Sequence, residues 1–136
     1  MRVVIMGCGR TGAELATQLD RRGHEVIVLD LAQSAFRRFL RHDFKGKARV
    51  GNGIDQDVQR RIGVASADVF VAVTQGDNRN AMAAQIARHI FGVAHVVCRI
   101  KDPSRAEFYR DLGIDTFCPA VISTELLLGS LLGERV

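Results

Sequence analysis

The segment Arg2–Gly12, reading RVVIMGCGRTG, decides the fold. A short run rich in β-branched residues passes straight into Gly7-Cys8-Gly9-Arg10-Thr11-Gly12, a GxGxxG loop. Ala13, Leu15, Ala16 and Leu19 then recur near helical spacing as far as Arg22. The glycine pattern alone is weak, but a strand before it and a helix after it give it meaning. Gly7 permits the tight turn, Gly9 lets backbone approach a phosphate, and Gly12 lets helix and strand pack closely. The free N–H groups at the helix start, with their partial positive charge, suit that phosphate. The next apolar run, Glu25–Leu29, ends at Asp30, 18 residues beyond Gly12. A carboxylate there accepts both ribose hydroxyls and repels a 2′-phosphate, so an adenosine-type ligand is favoured over NADP.

The alternation continues. A basic helix over Gln33–Arg41 is followed by a weak strand at Arg49–Val50 and a short helix over Gln56–Ile62. Asp68–Val73 reads as a strand covered on both faces, and Asp77–Phe91 as a long helix closed by Gly92. His95–Ile100 is a fifth strand. Asp102 and Pro103 open a helix that stops at Gly113, and Asp115–Cys118 and Ser123–Leu132 supply a last strand and helix. Short connections between such units demand parallel strands with helical crossovers. The expected architecture is a Rossmann-type, doubly wound parallel six-stranded sheet in three α/β/α layers, one domain over residues 1–136.

A content of 47% hydrophobic and 25% charged residues excludes a disordered tail, a fibre and a disulfide scaffold. The net charge of +4 permits an anionic ligand or a membrane-adjacent partner. No helix-turn-helix remains outside the alternation, so no nucleic-acid partner is expected. Arg37, Arg38, Arg41, Lys45, Lys47 and Arg49 form the densest charge, read first as a solvated face and otherwise as a contact for an acidic partner or anionic headgroups. Three cysteines, Cys8, Cys98 and Cys118, share no metal or redox spacing and fit a reducing cytoplasm. Cys8 is either a small filler or a thiol activated by the nearby helix start. No signal peptide is visible, and Pro119 and Glu125 interrupt the most lipid-like stretch, Thr116–Gly133. No catalytic base is evident: the single tyrosine, Tyr109, has Gly113 rather than lysine four residues on. His24, His42, His89 and His95 fall at turns or helix surfaces. A binding protein is expected rather than an enzyme, the alternative being a small NAD-dependent oxidoreductase or a redox-sensing Rossmann protein.

From the glycine loop onward the sequence resembles the nucleotide-binding N-terminal RCK domain of the TrkA/KtrA family of potassium uptake regulators. GCGRTG with Asp30, Gly51-Asn52-Gly53-Ile54-Asp55 with Gly63, Thr74-Gln75-Gly76-Asp77 with Asn80, and Arg99-Ile100-Lys101-Asp102-Pro103 with Gly113 and Pro119 carry the resemblance. It implies a cytoplasmic regulatory subunit that binds NAD(H) or ATP/ADP and acts on a membrane potassium transporter or channel. It implies that Gly7, Gly9, Arg10, Thr11 and Gly12 line the phosphates and that Asp30 and Leu31 hold the ribose. Asn52 and Gly53 would flank the adenine, Thr74, Gln75 and Gly76 would sit at the carboxyl edge, and Arg99 and Lys101 would face the distal half. Asp77 is read either as a ligand neighbour or as the cap of its own helix, and Asn80 either as a ligand contact or as a helix-turn tie. Two departures stand out. Asn52 replaces the acid usual in the third-strand motif, and Ala120 replaces the acid that some members use for a cation, so no metal is expected. The resemblance further implies a crossover dimerisation helix at 123–132 and a homodimer or larger ring. Unlike many members, the sequence shows no C-terminal RCK subdomain, which is read as either a natural single-domain form or a fragment.

Overall fold

A computed structural model describes residues 1–133. Six strands form one parallel sheet: β1 (Arg2–Met6), β2 (Glu25–Asp30), β3 (Lys47–Val50), β4 (Val69–Ala72), β5 (His95–Arg99) and β6 (Asp115–Phe117). Their order across the sheet is β3-β2-β1-β4-β5-β6, so the winding reverses between β1 and β4. At that reversal the two connections leave toward opposite faces and open a crevice at the carboxyl ends. β1 is the hub: Val3–Met6 align with Val26–Leu29 on one side and Val69–Ala72 on the other.

Alternation of side chains along β1 builds two cores. Val3 and Ile5 pack with Val26, Val28 and Val71 beneath α1 (Arg10–Arg21) and α2 (Gln33–Phe39). Val4 and Met6 pack with Leu29, Phe70 and Val96 beneath α3 (Gln56–Arg61), α4 (Asp77–Gln85) and α5 (Pro103–Asp111). The three-layer sandwich follows from a sheet apolar on both faces. Asp102 caps α5 through Ser104 N at 3.0 Å, as its sequence position implies. Asp55 does the same for α3 through Asp57 N at 2.8 Å, a cap the sequence reading did not single out.

Most boundaries shift from expectation by a residue or two, and three of the differences have a clear cause. β3 begins at Lys47, because pairing with Ile27–Asp30 of β2 extends it by two residues. The long fourth helix leaves α geometry at Gln85 and closes through a π turn, Ile86–Ile90, before Gly92 at φ +69°. There the Arg88 guanidinium donates to the Val93 carbonyl at 3.1 Å, satisfying an acceptor at the helix end. The last helix, α6 (Pro119–Leu132), starts four residues before Ser123. Proline suits a first helical position because its φ is already set and no N–H is needed there. α6 buries none of its residues, and Leu126, Leu127, Leu131 and Leu132 are each more than 60% exposed. The described residues therefore leave this apolar helix uncovered.

Gly12 is the tightest point in the molecule. A Cβ built there would lie 1.8 Å from the Gly7 carbonyl oxygen and 3.3 Å from Val73 Cγ2. Glycine to alanine inside an ordinary helix stabilises by about 1 kcal/mol. Here the obstacle is backbone, so Gly12→Ala is expected to destabilise by about 2–4 kcal/mol in urea unfolding. An unchanged midpoint would mean that α1 can move away from β1 at no cost.

Candidate functional site

The carboxyl ends of β1, β2, β4 and β5 converge on two adjoining depressions. The larger, about 550 Å³, is lined by Gly7, Cys8, Gly9, Arg10, Thr11, Asp30, Ala35, Phe39, Thr74, Gln75 and Arg99. The smaller, about 130 Å³, adds Met6, Leu31, Gly51, Gly53 and Arg79 and shares Gly7, Asp30 and Thr74. Depressions at the amino ends of the strands, near Arg2 and His24, and beside α2 are comparable in size. They lack the convergence of strand ends and helix start that suits an anion.

Backbone builds the floor. Gly7 sits at φ +111°, its N–H donating to the Leu29 carbonyl at 2.8 Å. A side chain there would press on Thr74 N at 2.9 Å, so only glycine lets the turn pass under the β4 loop. Gly9 is the N-cap of α1, and no side chain caps the helix. A Cβ at Gly9 would meet nothing within 4 Å. The helix start thus presents its first N–H groups to open space.

Asp30 ties the cleft together. One carboxylate oxygen accepts from Cys8 N at 2.8 Å and the other from Ala32 N at 2.9 Å. Each oxygen keeps a second acceptor site for hydroxyls. The Cys8 thiol lies against the Ala35 carbonyl, 3.9 Å away, and is 1% exposed. Burial, and then the Asp30 charge, push it up to about 11. Cys8 is a filler, and the helix start does not activate it. Cys98, buried under the same edge, is pushed up to about 12 by burial and then by Asp77.

The opposite wall is a polar clamp around Asn80. Its amide NH₂ donates to the Thr74 and Arg99 carbonyls at 3.0 and 2.9 Å. Its oxygen accepts from Thr74 N at 2.9 Å and from the Thr74 hydroxyl at 2.6 Å. Fully buried, Asn80 fastens the ends of β4 and β5 together, its amide spent on protein partners. Arg99 is 9% exposed and donates from its guanidinium to the Thr74 carbonyl. Its Nε has no partner, and among the described residues it makes no ion pair. A buried cation with unspent donors on a cleft wall is suited to an anion.

Other expected residues fall differently. Gly12 lies beneath the turn, and Gly76 is the N-cap of α4, so both shape the backbone without lining either depression. Asp77 does not cap its own helix. Its two oxygens accept from Lys101 N at 3.0 Å, which fixes the loop after β5. That contact engages the Lys101 backbone, and the exposed Lys101 side chain lies outside the cleft lining. Asn52 is occupied locally, its oxygen accepting from Ile54 N at 3.2 Å and from the Arg79 guanidinium at 3.3 Å. Arg79, Ala35 and Phe39 line the site without having been anticipated. Arg79 was legible as the third residue of a helix opening at the carboxyl edge, whereas the α2 wall depends on packing.

Two measurements follow from this geometry. Asn80→Ala is expected to destabilise by about 2–3 kcal/mol, since it leaves buried partners unmatched. With folded thiols raised above the ordinary value of about 9, the unfolded chain releases protons first as pH climbs. Stability should therefore fall from about pH 9 toward 12, and Cys8 and Cys98 should resist alkylation near neutrality until the chain is denatured. Rapid alkylation of native Cys8 would contradict its burial.

Residues 3–119 match the TrkA-N domain. The chain is 46% identical over 132 residues to the Trk system potassium uptake protein TrkA of Streptomyces coelicolor, covering 97% of this chain and 59% of that protein. It therefore spans about three-fifths of that relative's length. Among solved structures, the TrkA-N domain of the inner membrane protein ybaL from Escherichia coli superposes with a TM-score of 0.85 at 13% identity, over 96% of each chain. The GsuK channel bound to NAD superposes with a TM-score of 0.72 at 22% identity, over 85% of this chain and 21% of that one. GsuK has also been solved bound to ADP. The glycine turn, the acid closing β2 and the β4 edge thus lie within one contiguous match, and the chain belongs to the TrkA-N domain family.

Proposed function

We propose that this chain is the nucleotide-sensing domain of a cytoplasmic regulatory subunit of a potassium transport system. In this reading an adenine nucleotide, NAD(H) or ATP/ADP, lies across the crevice. Its phosphates meet the N–H groups of α1, with Gly9 leaving room for them. Asp30 accepts the ribose hydroxyls, and the smaller depression beside Leu31, Gly51 and Gly53 takes the base. Arg10, exposed at the loop, and Arg99, buried on the far wall, meet the distal phosphate or second half.

The observation that carries the reading is Arg99. A guanidinium 9% exposed, with an unpartnered Nε and no ion pair among the described residues, lines the same depression as an uncapped helix start. Both are positive, and an anion between them satisfies both. The names of the relatives point the same way, to potassium uptake and to channels holding NAD or ADP. Binding is favoured over catalysis because the acidic groups lining the larger depression are Asp30, tied to two amides, and Cys8, held as a thiol.

Signalling in this reading requires differential affinity. Two nucleotides that engage Arg10 and Arg99 differently bias two subunit arrangements, and only that difference can act on a pore. α6, apolar and uncovered, is the proposed dimerisation element, crossing to a second copy in a homodimer or ring. The pore partner would be a membrane potassium transporter or channel.

Calorimetry of the purified chain with NAD, NADH, ATP and ADP tests the site. Gly9→Ala should leave thermal stability unchanged, since its Cβ meets nothing, yet weaken binding by about tenfold or more. Asp30→Ala should weaken all four ligands, and Arg99→Met should weaken diphosphates more than AMP. Full affinity in Gly9→Ala and Asp30→Ala together would remove the crevice as the nucleotide site.

A further inference from the structure

The positive charge of this chain is concentrated in one stretch. Residues 37–49 carry six Lys and Arg and one acid, Asp43. Removing these from the totals of 19 basic and 15 acidic residues leaves 13 against 14, so the whole surplus of +4 comes from here. The fold places the stretch on the second half of α2, the following loop and β3, one of the two edge strands of the sheet. Arg37, Arg38, Arg41, Lys45, Lys47 and Arg49 are all exposed, and among the described residues none makes an ion pair. Asp43 lines the groove described next together with Arg21, which offsets its charge at 3.4 Å. The single hydrogen bond from the six side chains runs from the Arg49 guanidinium to the Ala48 carbonyl at 3.2 Å.

Two of these cations, Arg37 and Arg41, border a groove of about 760 Å³, and Lys45 and Lys47 line the neighbouring depression at the amino ends of the strands. Phe36, Leu40 and Phe44 give the groove an apolar floor, Arg37 and Arg41 stand on its rim, and it reaches β3 at Ala48. β3 pairs with β2 on one side, so its other edge carries N–H and C=O groups with no strand opposite.

We propose that this edge is a docking site for an extended acidic segment of a different protein. The segment adds to the free side of β3, sets carboxylates against the rim and strand cations, and places an apolar side chain in the groove. Charge complementarity selects the partner. A second copy of this edge would bring six unpaired cations against six, which opposes self-pairing. A bilayer surface attracts the cations, but a flat array of headgroups does not reach a concave aromatic floor or pair in register with strand amides. The assignment is independent of nucleotide binding, because the groove lies on the side of α2 away from the glycine loop.

The test uses the whole chain with three probes: a labelled peptide of alternating glutamate and valine, its lysine–valine counterpart, and phosphatidylglycerol-containing vesicles. The acidic peptide is expected to bind, with affinity falling about tenfold or more as salt rises from low to near molar. Arg37→Glu with Arg41→Glu, or Lys47→Glu with Arg49→Glu, should each weaken it by about tenfold or more, with thermal midpoints and nucleotide calorimetry as in the wild type. Hydrogen exchange at Lys47–Val50 should slow in the complex. The proposal is overturned if the acidic peptide does not bind at low salt, or if the lysine peptide binds equally. It is likewise overturned if both charge reversals keep full affinity, if the β3 amides stay unprotected, or if the vesicles are bound and the peptide is not.

Discussion

The approach of α1 to the end of β1 is the constraint on which this structure depends. A helix can begin so close beneath a strand only if no side chain stands between them, and the Gly7 carbonyl leaves no space for even a methyl group at Gly12. That contact aims the helix axis at the crevice and brings Cys8 N within reach of Asp30. It also holds the Gly7 turn under the β4 loop. Relax it, and the helix start, the carboxylate and Thr74 no longer face a common volume. Strong local constraint on a few backbone atoms here organises four strand ends.

The polar half of the site is held by a different means. Asp30 is fixed by two amides, and Thr74 and Arg99 are fixed by one asparagine. Each anchor joins segments distant in sequence, so the crevice has stiff walls before any ligand arrives. Preorganisation of this kind lowers the cost of ordering groups on binding. It also suits a device in which small ligand differences must be passed on rather than absorbed.

Much of this was legible in the sequence, because it rests on short-range rules. The continuous apolar run of Arg2–Met6, glycines at turns, and Asp102-Pro103 at a helix start all follow from neighbours in the chain. The sheet order follows from right-handed crossovers. What was not legible depends on side chains that meet only after folding. Asp77 reads as a cap from its position, yet its carboxylate turns to the Lys101 amide because β5 ends beside it. The Lys101 side chain lies outside the cleft lining, a placement that depends on how the loop after β5 folds. Cys8 reads first as a small filler and only second as an activated thiol, and its burial decides for the filler. α6 starts at Pro119 and not at Ser123 because a proline after a strand can open a helix as readily as break one.

Asn80 carries one more implication. Its amide spends two hydrogens on carbonyl oxygens and its oxygen on two donors, so every valence of the group is matched. Aspartate differs by a single atom, yet it would turn an oxygen toward both carbonyls and bury a negative charge between them. An acid at this one position would therefore loosen two strand ends at once, whereas Asn78, exposed on the same helix, has no buried carbonyls to oppose a charge.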